Sequence, residues 1–398
     1  MKIEGVWSPQ WQPVVDAFVA NFTAGEQGAG VALYHGGELV VNICAGECSN
    51  RLAGIANQPW TENTMVNIFS AGKGLVALCV LQLVAQGKLN LDSPIAAYWP
   101  EFAQGDKAKI TVRDVLSHRS GLSAFHQYIA DDQIFNWNSM TASAASETPW
   151  WGPQTGQGYS PFMYGWILGE LVRRVSGCAS FNDYFQTQVA APLGVSCYFG
   201  VPDSALALIA DTSPLKRNLN NSPAVSNGAD SVALGKLMKA DPRGVTNRAF
   251  CNPISLMTAT NTQAWRQAQI PAANAHANAQ AIAAIYGDLA SAHSTLLSSD
   301  TLPFAWQEQT FCHDQVLGLP LRFSCGFMLS QVDRPDCRYG RGARAFGHPG
   351  AGGSIGFADP DYQLGFGYVT SRMGQNILID ARAVLLIDAV YSVIDADL

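Results

Sequence analysis

The chain has 398 residues, 48% of them hydrophobic and 14% charged, which is too apolar for a disordered scaffold and long enough to fill several core-bearing layers. Lys and Arg total 24 against 31 Asp and Glu, a formal charge of −7, and no basic run supplies the footprint that nucleic-acid binding needs. The longest apolar runs, 75–84 and 383–394, fall short of the ~20 residues that cross a bilayer and are broken by Gln82, Asp388 and Ser392, so no membrane partner is expected.

In chain order, residues 11–22 place Val14, Val15, Phe18, Val19 and Phe22 at helical spacing, and 31–34, Gly36-Gly37 and 38–44 read as a hairpin. Thr111-Val112-Arg113-Asp114 is a capping-box pattern that opens a helix, with Gly121 as its expected stop. Tyr164, Ile167, Leu168, Leu171, Val172 and Val175 form one apolar helix face that ends at Gly177. The piece around 218–227 reads as a loop, and the Ala-rich stretch 272–292 as a helix. Residues 353–357, a turn at 359–361 and 364–370 form a second hairpin, followed by a long buried helix over 377–394.

The two ends mirror each other. They combine most simply as one antiparallel sheet with terminal helices on its faces, an α/β fold of the α+β type built from residues 1–110 and 275–398. Residues 111–274 then form a mostly helical insertion, with a site expected in the cleft between the two parts.

Nine cysteines, odd in number and irregular in spacing, suit reduced packing thiols. The Met1–Gly5 start lacks the apolar core of a secretory signal, so a cytoplasmic chain is expected. Cys44 and Cys48 have no partners to complete a thiolate zinc site, and the seven histidines never form His-x-His or His-Glu-x-x-His; neither metal nor cofactor is expected.

A serine can be activated by a lysine one helical turn on, because residues i and i+3 share a helix face and a desolvated amine can take the hydroxyl proton. Among eight lysines, two lie three residues after a serine: Ser70/Lys73 and Ser213/Lys216. The second contains Pro214 in a polar stretch. The first opens the apolar run 75–85, where free amides and the helix dipole favour a developing oxyanion. Ser70 also suits a plain N-cap, but Lys73 opposes the dipole and borders a core where an idle ammonium is costly. A rival, Gly352-Gly353-Ser354-Ile355-Gly356, matches a nucleophile-elbow pattern. That pattern needs strand, turn and helix with a histidine to follow, whereas Ser354 leads into a strand and the last histidine is His348.

Ser70-Ala71-Gly72-Lys73, Leu116-Ser117-His118-Arg119-Ser120-Gly121-Leu122, Tyr159-Ser160-Pro161 and Gly347-His348-Pro349-Gly350-Ala351-Gly352-Gly353 together resemble the ordered motifs of the serine β-lactamase-like superfamily. Within it the chain is most similar to family VIII carboxylesterases and related class C-like serine hydrolases. The resemblance spans residues 10–395 and implies a β-lactamase/transpeptidase-like fold, Ser70 as acylated nucleophile and Lys73 as the amine beside it. It makes Tyr159 a general base in acylation, ionised with help from Lys73, and a proton donor to the leaving group. It makes the amides of Ser70 and Ala351 the oxyanion hole, and His348 and Gly350 the substrate-binding strand. Two residues depart from the family pattern. Pro161 replaces an asparagine and His348 a lysine, and both changes weaken amide substrates more than esters.

The implied reaction is hydrolysis of a small short-chain acyl ester. A β-lactamase, a D-Ala peptidase, an acyltransferase and a non-turnover acyl-binding sensor stay open, as does the oligomeric state. Trp137, Trp150 and Trp151 suit either an acyl pocket or plain core.

Overall fold

The computed structural model describes residues 1–214 and 229–396. Lys216, and with it the Ser213/Lys216 pair, and the expected loop at 218–227 lie outside them. Ten strands form the main sheet: β1 Ile3–Trp7, β2 Gly28–His35, β3 Glu38–Asn50, β4 Ile55–Pro59, β5 Thr310–His313, β6 Pro320–Phe323, β7 Met328–Leu329, β8 Phe346–Pro349, β9 Ile355–Asp359 and β10 Leu364–Thr370. The order is β1-β3-β2-β10-β9-β8-β7-β6-β5, with β4 beside β3 and every pairing antiparallel. Among the described residues this sheet takes no strand from the stretch between Pro59 and Thr310.

Six helices position the site: α1 Gln12–Thr23, α2 Gly72–Ala85, α3 Val112–Leu116, α4 Met163–Ser176, α5 Ala279–Ala290 and α6 Ala381–Ala396. Strand alternation sorts the two sheet faces. Leu364, Phe366 and Tyr368 of β10 join Val14, Phe18, Leu386, Ile387 and Val390 in the core under α1 and α6. On the opposite face Gly365 and Gly367 lie against α5, where a Cβ on Gly365 would sit 2.2 Å from the Gly287 nitrogen and one on Gly367 2.4 Å from the Ala279 carbonyl oxygen. Glycine is required there so that helix and sheet backbones can touch. The second core continues from α5 through α2 to α4, and α2 is buried almost all round.

Three expected boundaries move. The helix from Thr111 keeps its capping box but stops at Leu116, because His118 turns left-handed at φ +58° and buries its ring; Gly121 serves the turn whose carbonyl accepts the Trp150 N–H. The Ala-rich stretch is helical only from Ala279, since residues Ala275–Ala277 pair as a strand with Met65–Asn67 and Cys197–Phe199, and the Asn278 side chain caps the Ala281 N–H. The last helix starts at Ala381, after Leu378 and Ile379 have packed into the core and Asp380 has accepted the Arg382 N–H. Alanine periodicity cannot separate a helix from a small-residue strand that must fit beneath a neighbour. No helix among the described residues is long and apolar enough to cross a membrane.

The sheet–helix contact predicts that Gly365→Ala, which drives a methyl into the α5 backbone, costs about 1–3 kcal/mol of stability. Urea denaturation measures it; a midpoint equal to the parent would show that α5 yields without strain.

Candidate active site

Ser70 sits in a 3-10 turn, Phe69–Ala71, that leads directly into α2. The preceding Phe69 is left-handed at φ +49°, a sparsely populated conformation for a bulky residue, and it lifts Ser70 off the incoming strand. The Ser70 hydroxyl caps neither the turn nor the helix. It lies instead within hydrogen-bond distance of Lys73 Nζ, at 3.1 Å.

Lys73 has no exposed surface. Its Nζ also donates to the carbonyls of Pro161, at 2.6 Å, and Ala272, at 2.9 Å. Burial pushes the amine well below the ordinary lysine range, with no carboxylate to oppose the shift. Carbonyl oxygens only accept, so in the neutral amine both N–H bonds point at them and the lone pair is left facing Ser70.

Tyr159 is buried in a segment tied down on both sides. Its N–H donates to Asp314 Oδ2 at 2.8 Å, the Ser160 N–H to His118 Nδ1 at 3.2 Å, and the Gly158 N–H to the His118 carbonyl at 3.0 Å. The Tyr159 side chain adjoins Ser70, and Lys73 Nζ lies 4.9 Å over its ring face. Burial, reinforced by the Asp314 charge, pushes the phenol above its ordinary pKa. The expected ionisation of Tyr159 by Lys73 is therefore not what this environment favours, because desolvation neutralises both groups. Ser70 Oγ thus stands between an amine with a free lone pair and a phenol that keeps its proton.

His118 and His348 complete the surround. The Ser160 N–H needs an acceptor at His118 Nδ1, and burial holds His118 neutral. His348 is buried, its Nδ1 donates to the Pro349 carbonyl at 2.8 Å, and its Nε2 has no partner among the described residues. Burial pushes its pKa down to about 3. Where the motif carries a lysine, this chain holds an uncharged ring sealed from solvent, its centroid 5.9 Å from that of Tyr159. Gly350 follows at the end of β8, and a Cβ on it would lie 2.1 Å from the Ile68 carbonyl, so only glycine lets this turn press on the backbone two residues before Ser70. Neither the Ser70 nor the Ala351 N–H donates to a described residue.

A family model described as beta-lactamase matches residues 15–389. The chain belongs to the beta-lactamase family. A crystal structure of a family VIII carboxylesterase matches it with a TM-score of 0.86 and 32% identity, over 99% of this chain and 100% of that one. A penicillin-binding protein homologue from Caulobacter crescentus gives a TM-score of 0.84 and 31% identity, over 99% and 100%. The esterase/beta-lactamase LipL of Mycobacterium tuberculosis (strain ATCC 25618 / H37Rv) is 28% identical over 94% of this chain and 83% of its own length.

Other sequence candidates of this beta-lactamase-family chain fall elsewhere. Ser354 is buried where the Gly350–Gly353 turn enters β9; its hydroxyl accepts the Thr370 N–H at 3.4 Å and no helix follows. Trp137 packs on Gly169 and donates to Glu170 at 2.8 Å, a packing role in the helical core. Trp150 stacks on His126 at 4.0 Å, and Trp151 covers Gly158 next to Tyr159. Asp314 had no motif to announce it. It is fully buried and accepts from Tyr159, Val316 and Leu317 backbone amides and from Gln157. The carbonyls of Pro161 and Ala272 were equally invisible, since a backbone acceptor carries no residue signature.

The buried histidines make stability depend on pH. His276 and His348, both pushed down to about 3, bind protons near 6.5 only when unfolded, so the stability of the neutral forms is whole above 6.5 and is lost as pH falls toward 3. Asp314, raised from 3.8 to about 6, works the other way between those values. We expect the unfolding free energy to decline from pH 6.5 to 4.5. His348→Gln should flatten that slope by about 1.4 kcal/mol per pH unit, as chemical denaturation at three pH values would measure.

Proposed function

We propose that this chain is a serine carboxylesterase that hydrolyses short-chain acyl esters of small molecules through a Ser70 acyl-enzyme. The observation that carries the reading is the 3.1 Å contact between Ser70 Oγ and an amine whose other two N–H positions are taken by the Pro161 and Ala272 carbonyls. Family membership and the likeness to a carboxylesterase support the serine-hydrolase class.

In this mechanism the neutral Lys73 amine takes the Ser70 proton as Oγ attacks the ester carbonyl. The amides of Ser70 and Ala351 receive the oxyanion. Tyr159, protonated, donates to the departing alkoxide and is reprotonated from Lys73. Water then enters along the same path, giving a proton to Lys73 as it attacks the acyl carbonyl; the acyl–Oγ bond breaks, the carboxylic acid leaves, and Lys73 returns the proton to Ser70 Oγ.

Esters are favoured over amides on two grounds. The residue that would present an amide side chain is Pro161, whose carbonyl is occupied by Lys73. The residue that would present a cation to a substrate carboxylate is His348, neutral and sealed. Nine cysteines without a disulfide fit a reducing, cytoplasmic compartment.

Ser70→Ala should abolish hydrolysis of p-nitrophenyl acetate while a folded Ser354→Ala keeps most of it; the reverse pattern would move the nucleophile. Lys73→Ala and Tyr159→Phe should each lower kcat on the order of 10² to 10⁴ and be strongly non-additive, because they share one proton path. For substrate choice, kcat/KM on a short acyl ester should exceed that on nitrocefin by at least ~10², equivalent to about two lost hydrogen bonds of ~1.5 kcal/mol. Comparable efficiencies would promote the β-lactamase reading, and a single acylation without turnover would make the chain a sensor.

A further inference from the structure

We propose that Arg382, far along the chain and in contact with none of Ser70, Lys73 or Tyr159, is the positioning residue of the oxyanion-binding turn. The inference rests on the reading above that the Ala351 amide receives the substrate's carbonyl oxygen.

The direction of that amide is a property of the turn, and the turn is made of residues with little preference of their own. Gly352 and Gly353 adopt φ of +89° and +128°. Glycine populates several backbone regions about equally, so this shape has to be imposed from outside. In a trans peptide the carbonyl and the next N–H point in opposite directions. The Gly350 carbonyl is drawn inward by the Gly353 N–H at 3.2 Å, which turns the Ala351 N–H the other way. The next residue is held through both of its peptides: the Gly352 N–H, in the peptide that follows Ala351, donates to the Asn376 carbonyl at 3.1 Å, and the Gly352 carbonyl, in the peptide after that, accepts from the Gly374 N–H at 2.8 Å and from Arg382 Nη2 at 2.7 Å.

The guanidinium also backs the turn sterically. A Cβ on Gly353 would lie 2.7 Å from Arg382 Nη2, so the cation lies directly against the Gly353 backbone.

Arg382 is in turn fixed. Its Nη1 donates to Glu26 Oε2 at 2.5 Å and to Thr370 Oγ1 at 3.2 Å, and its Nε to Asp380 Oδ1 at 2.8 Å. Glu26 Oε2 also accepts from the Tyr368 hydroxyl at 2.9 Å and from Thr370 Oγ1 at 2.7 Å, while its Oε1 accepts the Gln27 N–H. Arg382, Glu26 and Asp380 are 4%, 7% and 2% exposed. A buried charge cluster is a poor source of net stability, since desolvation offsets the attraction, but the planar guanidinium, bidentate on Asp380 through Nε at 2.8 Å and Nη2 at 3.3 Å, makes it a good holder of a neighbouring shape. Glu26 follows α1 and Arg382 opens α6, so the clamp joins the two chain ends behind the turn.

The test uses Arg382→Lys, which keeps the charge and loses the planar fork, with Glu26→Gln as a second variant that preserves shape should the first not fold. Two readouts separate positioning from plain stability: the split between kcat and KM on p-nitrophenyl acetate, and the carbonyl stretching frequency of the trapped acyl-enzyme, which falls when oxyanion donors engage it. We expect kcat to drop at least ~10-fold with KM within about twofold, and the stretch to move to higher wavenumber, an attenuated form of the ~10² to 10³ loss on deleting a donor. Parent kcat and an unshifted stretch in folded variants, even with lowered melting temperature, would overturn the inference and leave the esterase reading intact. Absence of any acyl-enzyme on the unmodified protein would overturn that reading and this inference with it.

Discussion

One amine is kept out of water, and the chemistry of the site follows from how that is done. Lys73 ends between the Pro161 and Ala272 carbonyls, one from the segment before α4 and the other from the segment before α5. These acceptors orient the amine whether or not it carries a proton, while burial with no compensating carboxylate disfavours the charge. The segments must meet closely for this. A Cβ on Gly165 of α4 would lie 2.3 Å from the Ala272 nitrogen, so the absence of a side chain there sets the distance at which Ala272 can face Lys73. Serine–lysine spacing on a helix supplies proximity alone; the orientation of the amine comes from two segments the helix does not contain, and its protonation state from burial.

Neutrality extends beyond Lys73. His118 and His348 are held uncharged, and Tyr159 keeps its proton. Desolvation is the first cause in all of them, so the surround of Ser70 acts as a low-dielectric compartment in which the directed hydrogen bonds from amides count for more than in water. Asp314 is the exception in kind. It is a carboxyl that holds the Tyr159 backbone through a direct amide contact and sits behind the reacting groups rather than among them.

The site also joins two cores. Ser70 and Lys73 open α2, which is packed with α4 and α5, whereas the turn carrying Ala351 ends β8 of the sheet. Gly350 against the Ile68 carbonyl is the point where the two meet. Rigidity on the sheet side comes from residues buried between α1, β10 and α6, so the residues that set the turn are drawn from both ends of the chain.

What the sequence determined by itself was local or periodic. Both hairpins, the helices α1 and α4, the capping box at Thr111 and the Ser70/Lys73 spacing are short-range patterns, and the order of the motifs was enough to suggest the family. Its failures were also short-range readings carried too far. The Ala-rich helix lost residues 275–277 to a strand, and the helix after Thr111 ended early at a buried histidine. Only the tertiary structure decided the protonation states, because desolvation depends on everything packed around a group and not on its neighbours in sequence. It alone revealed the Pro161 and Ala272 acceptors, the Asp314 support and the Arg382 clamp, since main-chain oxygens and partners hundreds of residues apart have no expression in spacing or composition.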